Sequence, residues 1–180
     1  AVSLTYHKKS NQLVCHYCGY SIPNLSSCLA CGSTKMTVRG FGTERVEDEL
    51  ALFFPSARIG RMDLDTTRSR NAYERIISDF EHGRIDILVG TQMVTKGLDF
   101  DRVSLVGILN ADNLLNFPDF RAHERSFQLM SQVAGRAGRK HKRGKVIIQT
   151  TKPEHQVIKQ VVANNFEQLF KSQLIQRKTF

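Results

Sequence analysis

No apolar run in the sequence is long enough to span a bilayer, and no signal-peptide pattern is visible. Neither an internal repeat nor a low-complexity segment interrupts it. These absences argue against a spanning, repetitive or disordered chain, and the expectation is a soluble, cytoplasmic protein without a membrane partner. Acidic residues are also in short supply: 17 Asp+Glu face 26 Lys+Arg, for a net charge of +9. A balance this basic favours a polyanionic partner, because each neutralised phosphate releases counterions. Charge alone does not choose between nucleic acid and a merely basic surface.

The remaining composition is that of a globular chain, with 41% hydrophobic and 24% charged residues in 180. That length suits one core, or one core with a small appendage. The opening residues read as the middle of a strand and its turn, and the closing "LIQRKTF" stops without a natural end, so an excised piece of a longer protein is expected.

All four cysteines, Cys15, Cys18, Cys28 and Cys31, precede residue 32, as two C-x2-C pairs nine residues apart. Two such knuckles can present four thiolates to a structural zinc ion, with no position left open for catalysis. Gly19 and Gly32 follow the pairs where a knuckle turn needs positive φ. Disulfides or free thiols are the alternatives, and a reducing compartment disfavours the former. His16 is read as a surface residue, and no partner is assigned to His82 or His123.

After Gly42 the pattern becomes alternating helix and strand. Val46, Leu50 and Phe53 recur at helical spacing, with Thr43 expected as N-cap and Glu44, Glu47 and Asp48 suiting the positive end of the dipole. "ARIGRM" reads as a short strand. Residues 66–83 read as a helix with Ala72, Ile76, Ile77 and Phe80 on one face and Gly83 as its stop. The apolar runs 85–90, 104–109 and 145–150 read as parallel strands buried on both faces. Residues 121–138 are expected to be helical over their first two-thirds, and 154–174 to form one long amphipathic helix. This alternation predicts an α/β fold, a parallel sheet with helices on both faces.

Two segments carry candidate chemistry. In "ILVGTQMVTKGLDF" (87–100) a strand ends at Gly90, and Thr91, Lys96, Gly97 and Asp99 follow where α/β ligands bind. An ordinary strand-to-loop turn with an exposed lysine is the alternative. In "QVAGRAGR" (132–139), a helix carried through would set Gln132, Arg136 and Arg139 on one face of its end. Arginine forks pair bidentately with phosphate, and the glycines admit a close second surface. Two guanidinium groups aimed together are what a transferring phosphoryl group requires. A solvated basic helix end is the alternative. Phe117, Phe120 and Phe127 lie near basic residues and can stack on bases, but helix packing is the preferred reading.

"GTQMVTKGLDF" followed by "QVAGRAGR" resembles motifs V and VI of superfamily 2 helicases. Together with "GFGTERVEDEL", the knuckles upstream of it and "GKVIIQTTKPEH", the pattern is very similar to the primosomal replication-restart helicases of that superfamily. The resemblance covers nearly the whole chain. It implies a RecA-like second lobe with motifs IV to VI over 41–152, part of a zinc-binding insertion over 1–40, and a C-terminal helix over 153–180 leading to a further domain. It implies that Arg136 and Arg139 are the arginines reaching the γ-phosphate of ATP, Arg139 being the better finger candidate. Gln132, Gly97 and Asp99 would be nucleotide-side residues. Thr91 would hold single-stranded DNA by its backbone, Gly42 and Thr43 would offer a helix N-terminus to a DNA phosphate, and Lys96 could serve either ligand.

The same resemblance implies ATP with Mg²⁺, zinc, 3′-to-5′ movement, and single-stranded and forked DNA as substrates. It further implies single-stranded DNA-binding protein and other primosome proteins as partners, and a bacterial, nucleoid-associated location. The chain departs from the family twice. It has no G-x-x-x-x-G-K-[ST] and no D-E-x-H, so by itself it should neither hydrolyse ATP nor unwind DNA. The family's zinc region carries further cysteine pairs and two zinc ions, so each pair here is either half of a different site or part of one four-sulfur site. A zinc-ribbon nucleic-acid-binding module with no role in ATP turnover is the competing reading; it accounts for charge and cysteines but not for Arg136, Arg139 and Asp99 together.

Overall fold

A computed structural model describes residues 4–7, 10–15, 18–35, 42–67, 69–95, 100, 102–138 and 144–178. The chain divides into two compact units, Ala1–Gly40 and Phe41–Phe180.

The first unit holds a three-stranded antiparallel sheet of β1 (Thr5–His7), β2 (Gln12–Val14) and β3 (Ser21–Pro23), with β2 in the middle. Asn11 takes the left-handed conformation in the β1–β2 turn, at φ 48°. Its side-chain oxygen accepts from the Tyr6 hydroxyl at 3.0 Å and from Asn24 Nδ2 at 3.2 Å, which ties the turn to the end of β3.

The second unit is α/β. Helix α1 (Thr43–Phe53) leads to β4 (Ile59–Met62), then α2 (Arg70–Glu81) crosses to β5 (Ile87–Gly90), which pairs parallel with β4. Strand β6 (Leu105–Ile108) continues through α3 (Ala111–Leu115) and α4 (Ala122–Ala134) to β7 (Lys145–Ile148), again a parallel pair. Two further helices, α5 (Gln156–Val162) and α6 (Phe166–Lys178), close the chain. The expected parallel arrangement is therefore present as two hydrogen-bonded pairs.

Two apolar clusters hold these elements. Met62 and Phe100 are buried among Tyr73, Ile76, Ile77 and Phe80 of α2, with Leu88, Val94 and Val103. Phe80 and Phe100 meet edge to face at 4.8 Å. The larger cluster joins α3 to α6: Ala111, Leu115, Phe127, Met130, Val157, Ile158, Val161 and Leu169, packed on Ile108 and Ile148. Helices α5 and α6 thus pack into the second unit.

Several expectations need correction. Strands β6 and β7 are not buried on both faces. Ile108 and Ile148 meet the helical layer, while the alternate positions Leu105 and Ile147 are 55% and 48% exposed. The helix of 66–83 starts later, at Arg70, because Ser69 caps it by accepting from the Ala72 N–H at 3.2 Å. Thr66 and Thr67 are engaged with Asp63 instead. The long helix of 154–174 is broken. Asn164 turns left-handed at φ 49°, and Asn165 accepts from the Gln168 N–H at 2.9 Å to start α6 afresh. Val162, Phe166, Phe170 and Leu174 recur every fourth residue across that break, and all four are exposed.

Candidate functional site

Strand β5 ends at Gly90, where a side chain has no room. A Cβ would lie 2.7 Å from the Met62 carbonyl oxygen and 2.1 Å from Val94 Cγ2. The chain then turns: the Thr91 N–H points to Met62 O at 3.4 Å, and the Val94 N–H donates to Thr91 O at 3.1 Å. A 3-10 turn, Gln92–Thr95, follows. Thr91 itself is exposed at the carboxyl end of the β4–β5 pair. Lys96, Gly97 and Asp99 lie outside the described residues.

The start of α1 reaches the same corner. Thr43 is not its N-cap. Gly42 is, in an extended conformation at φ −70°, ψ 148° and with no side-chain cap, while Thr43 is the first helical residue. The Thr43 hydroxyl donates to Asp63 Oδ2 at 2.5 Å. Asp63 follows Met62, the residue whose carbonyl faces Thr91. Its other carboxylate oxygen accepts from the Asp65 and Thr66 N–H groups at 3.0 and 2.9 Å. Arg61 lies 3.3 Å from Asp63, 3.4 Å from Glu47 and 4.0 Å from Glu44, with its side chain only 12% exposed. Burial raises the Asp63 pKa, but the Thr43 and Thr66 hydrogen bonds and the Arg61 charge outweigh it, leaving a net lowering. The carboxylate is therefore ionised at neutral pH.

The arginine segment is a clamped turn, not a helix face. Helix α4 stops at Ala134, and Gly135 caps it with its N–H on Ser131 O at 3.0 Å. Arg136 and Ala137 continue as a tight turn through N–H bonds to Val133 O and Ala134 O. Gly138 takes φ 77°, and its N–H donates to Val103 O at 2.9 Å, just ahead of β6. Gly144, just ahead of β7, closes the clamp: a Cβ there would stand 2.4 Å from both Ala137 C and Gly138 N. Two glycines in a short span end the helix early, so Gln132 stays on the last turn of α4 while Arg136 leaves it. Arg136 is half-buried and Gln132 exposed; Arg139 lies outside the described residues. Helix α4 also packs against the 3-10 turn of Gln92–Thr95. The two candidate segments, far apart in sequence, are thereby neighbours.

The two cysteine pairs are the same turn made twice. The Cys15 N–H donates to Tyr20 O at 2.8 Å and the Gly19 N–H to Cys15 O at 2.9 Å; the Cys28 N–H donates to Ser33 O at 2.9 Å and the Gly32 N–H to Cys28 O at 2.8 Å. Gly19 and Gly32 have φ 75° and 68°. Backbone N–H groups of Cys31 and Ala30, and the Cys31 side chain, lower the Cys28 pKa. That is the donor chemistry a thiolate ligand uses, so the pairs fit zinc. Among the described residues, however, no three His, Cys, Asp or Glu side chains gather as one metal site.

Of the aromatics, Phe127 belongs to the core, whereas Phe117 and Phe120 are exposed, with the Arg177 guanidinium 5.6 Å from the Phe120 ring. Asp63 and Arg61 carried no periodic signal; the only hint was the run "DLDTT" directly after a strand. His123 and His155 meet edge to face at 5.2 Å, a contact that sequence spacing does not reveal. His16 lies outside the described residues.

A family model described as "PriA DNA helicase Cys-rich region (CRR) domain", a zinc-ribbon model, matches residues 1–23. The chain is 48% identical over 177 residues to the replication restart protein PriA of Bacillus subtilis (strain 168), covering 98% of this chain and 22% of that protein. It is 43% identical to the PriA of Chlamydia trachomatis, over 97% of this chain and 24% of the relative, and 44% identical to that of Synechocystis, over 98% and 22%. The chain thus spans about a quarter of the length of the relatives it matches. A second model, "Helicase conserved C-terminal domain", matches residues 31–141, including the corner at Thr91 and the clamped turn at Arg136. The chain belongs to the helicase conserved C-terminal domain family, and over nearly its whole length it is similar to PriA.

Proposed function

We propose that this chain is the second motor lobe of an ATP-dependent, 3′-to-5′ DNA helicase of replication restart, which acts in primosome assembly. The observation that carries this reading is the clamped turn: Gly138 on Val103 and Gly144 against Ala137 hold Arg136 rigidly beside α4, which packs on the turn after Thr91. A guanidinium held this way is pre-organised to meet charge developing on a γ-phosphoryl group, at no reorganisation cost in the reaction. Arg139 follows directly as the arginine finger, and Gln132, Gly97 and Asp99 supply the nucleotide side. Thr91, with the start of α1 at Gly42 and Thr43, holds the backbone of single-stranded DNA, and Lys96 adds positive charge. ATP with Mg²⁺ bridges this lobe to one that carries the phosphate-binding loop. Closure of the lobes moves the corner at Thr91 along the strand, and the chain alone is inactive.

The knuckles support zinc as a structural ion. Cys15 with Cys18, and Cys28 with Cys31, would each contribute half of a site. Zinc there orders the turn; it performs no chemistry. By likeness to PriA, single-stranded and forked DNA, single-stranded DNA-binding protein and other primosome proteins are the partners, in the bacterial cytoplasm at the nucleoid. The deciding experiment is Arg139→Ala in the intact protein. DNA-stimulated ATP hydrolysis should vanish while DNA binding persists. Hydrolysis at near wild-type rate would instead leave a zinc-ribbon binding module without a motor role.

A further inference from the structure

Asp63 has its main chain and its side chain fixed at once. Its N–H donates to Thr66 Oγ1 at 2.9 Å, its carbonyl accepts from the Thr67 N–H at 3.0 Å, and one carboxylate oxygen caps the turn that follows. The remaining oxygen is aimed at Thr43. Met62, the residue before it, pairs in register with Gly90 and faces the Thr91 N–H. One dipeptide at the end of β4 therefore holds both Thr43 and Thr91. Because Thr43 spends its hydroxyl proton on Asp63, only its main-chain N–H remains to address a phosphate, with bare Gly42 in front of it. The Asp63 charge is spread over Thr43, two N–H groups and Arg61, which limits its repulsion of a nearby phosphate.

We propose that Asp63 is a positioning residue for the nucleic-acid backbone: by holding the Thr43 hydroxyl, it sets the start of α1 at a fixed distance from Thr91, so that both meet phosphates of one strand. This rests on the lobe reading above. It predicts a defect in strand affinity, not in the hydrolytic step.

The test uses the intact protein and ATP hydrolysis stimulated by an oligothymidylate. Thr43→Val keeps the side-chain volume and removes only the link; Asp63→Ala removes the fixed point. Each should raise the half-saturating oligonucleotide concentration roughly tenfold to hundredfold, the worth of one lost charge-assisted hydrogen bond. For Asp63→Ala the KM for ATP and kcat at saturating DNA should hold. Thr43→Ser should restore wild-type behaviour, and the double variant should be no worse than the worse single. If Asp63→Ala does not fold, Thr43→Val with its serine rescue decides alone. A fall in kcat with unchanged half-saturation, no effect, or effects that multiply in the double variant would each overturn the proposal. Thr91→Ala and Arg139→Ala separate the two failures. If Thr91→Ala shifts half-saturation while the Thr43 and Asp63 variants do not, the positioning role falls and the lobe reading stands. If Arg139→Ala still hydrolyses ATP, the lobe reading itself falls.

Discussion

The N–H of Gly138 donates to the carbonyl of Val103 across 2.9 Å, tying the turn that carries Arg136 to the residues ahead of β6. Gly144 presses on that turn from the other side, where a methyl group would stand 2.4 Å from Ala137 C and Gly138 N. Both contacts are with backbone, which cannot swing aside. Gly144→Ala should therefore displace the turn, costing about 1–3 kcal/mol of stability. In the intact protein it should cut DNA-stimulated ATPase more than tenfold while leaving DNA affinity close to wild type. Thermal unfolding and a DNA titration of the hydrolysis rate read both effects.

Gly90→Ala offers a similar test at the end of β5. The new methyl would meet Met62 O at 2.7 Å and Val94 Cγ2 at 2.1 Å. Adding Val94→Ala relieves the second clash and not the first, so rescue of the unfolding midpoint should be partial. The single variant should also weaken oligothymidylate binding, because Thr91 is the next residue.

His155 gives the fold a pH dependence. Its Nδ1 accepts from the Val157 N–H at 3.2 Å, so the neutral ring caps α5. Burial, then the charges of His123 and Lys152, lower its pKa below the ordinary 6.5, against an opposing pull from Asp112. The unfolded chain thus takes up this proton first as pH falls. Stability from this group is fully present above about pH 6.5 and is lost as pH drops through the lower folded value. Unfolding midpoints should fall on acidification below pH 6.5, and His155→Asn, which can still cap, should flatten that fall.

Gly32 tests the knuckle. At φ 68° an alanine costs about 1–2 kcal/mol. Gly32→Ala should lower the zinc affinity of the intact protein, measured by chelator competition, and leave hydrolysis at saturating DNA unchanged. The equivalent change at Gly19, at φ 75°, should behave alike.

Periodicity and punctuation made much of this legible. The spacing of Val46, Leu50 and Phe53 located α1, and the apolar runs located β5, β6 and β7. Each knuckle glycine was readable because a turn after C-x2-C has few alternatives. The break at Asn164 was not, since "VANNF" keeps its apolar spacing through the interruption and only the backbone records the left-handed residue. The end of α4 within 121–138 was legible, but the clamp that fixes the turn after it was not, because glycine permits a turn without requiring one; Val103 and Gly144 set its path from afar. Thr43 shows the same limit. Its sequence suits an N-cap, but a carboxylate twenty residues on competes for the hydroxyl and wins.

Phe166, Phe170 and Leu174 form a strip of exposed apolar side chains along α6, and Val162 is exposed at the end of α5. Water beside such a strip loses orientational freedom, and two copies meeting along it would each shed that cost. A preparation of these 180 residues by themselves should therefore cloud or self-associate as concentration and temperature rise. Charged replacements at Phe166 and Phe170 should keep it clear without touching the arginine turn.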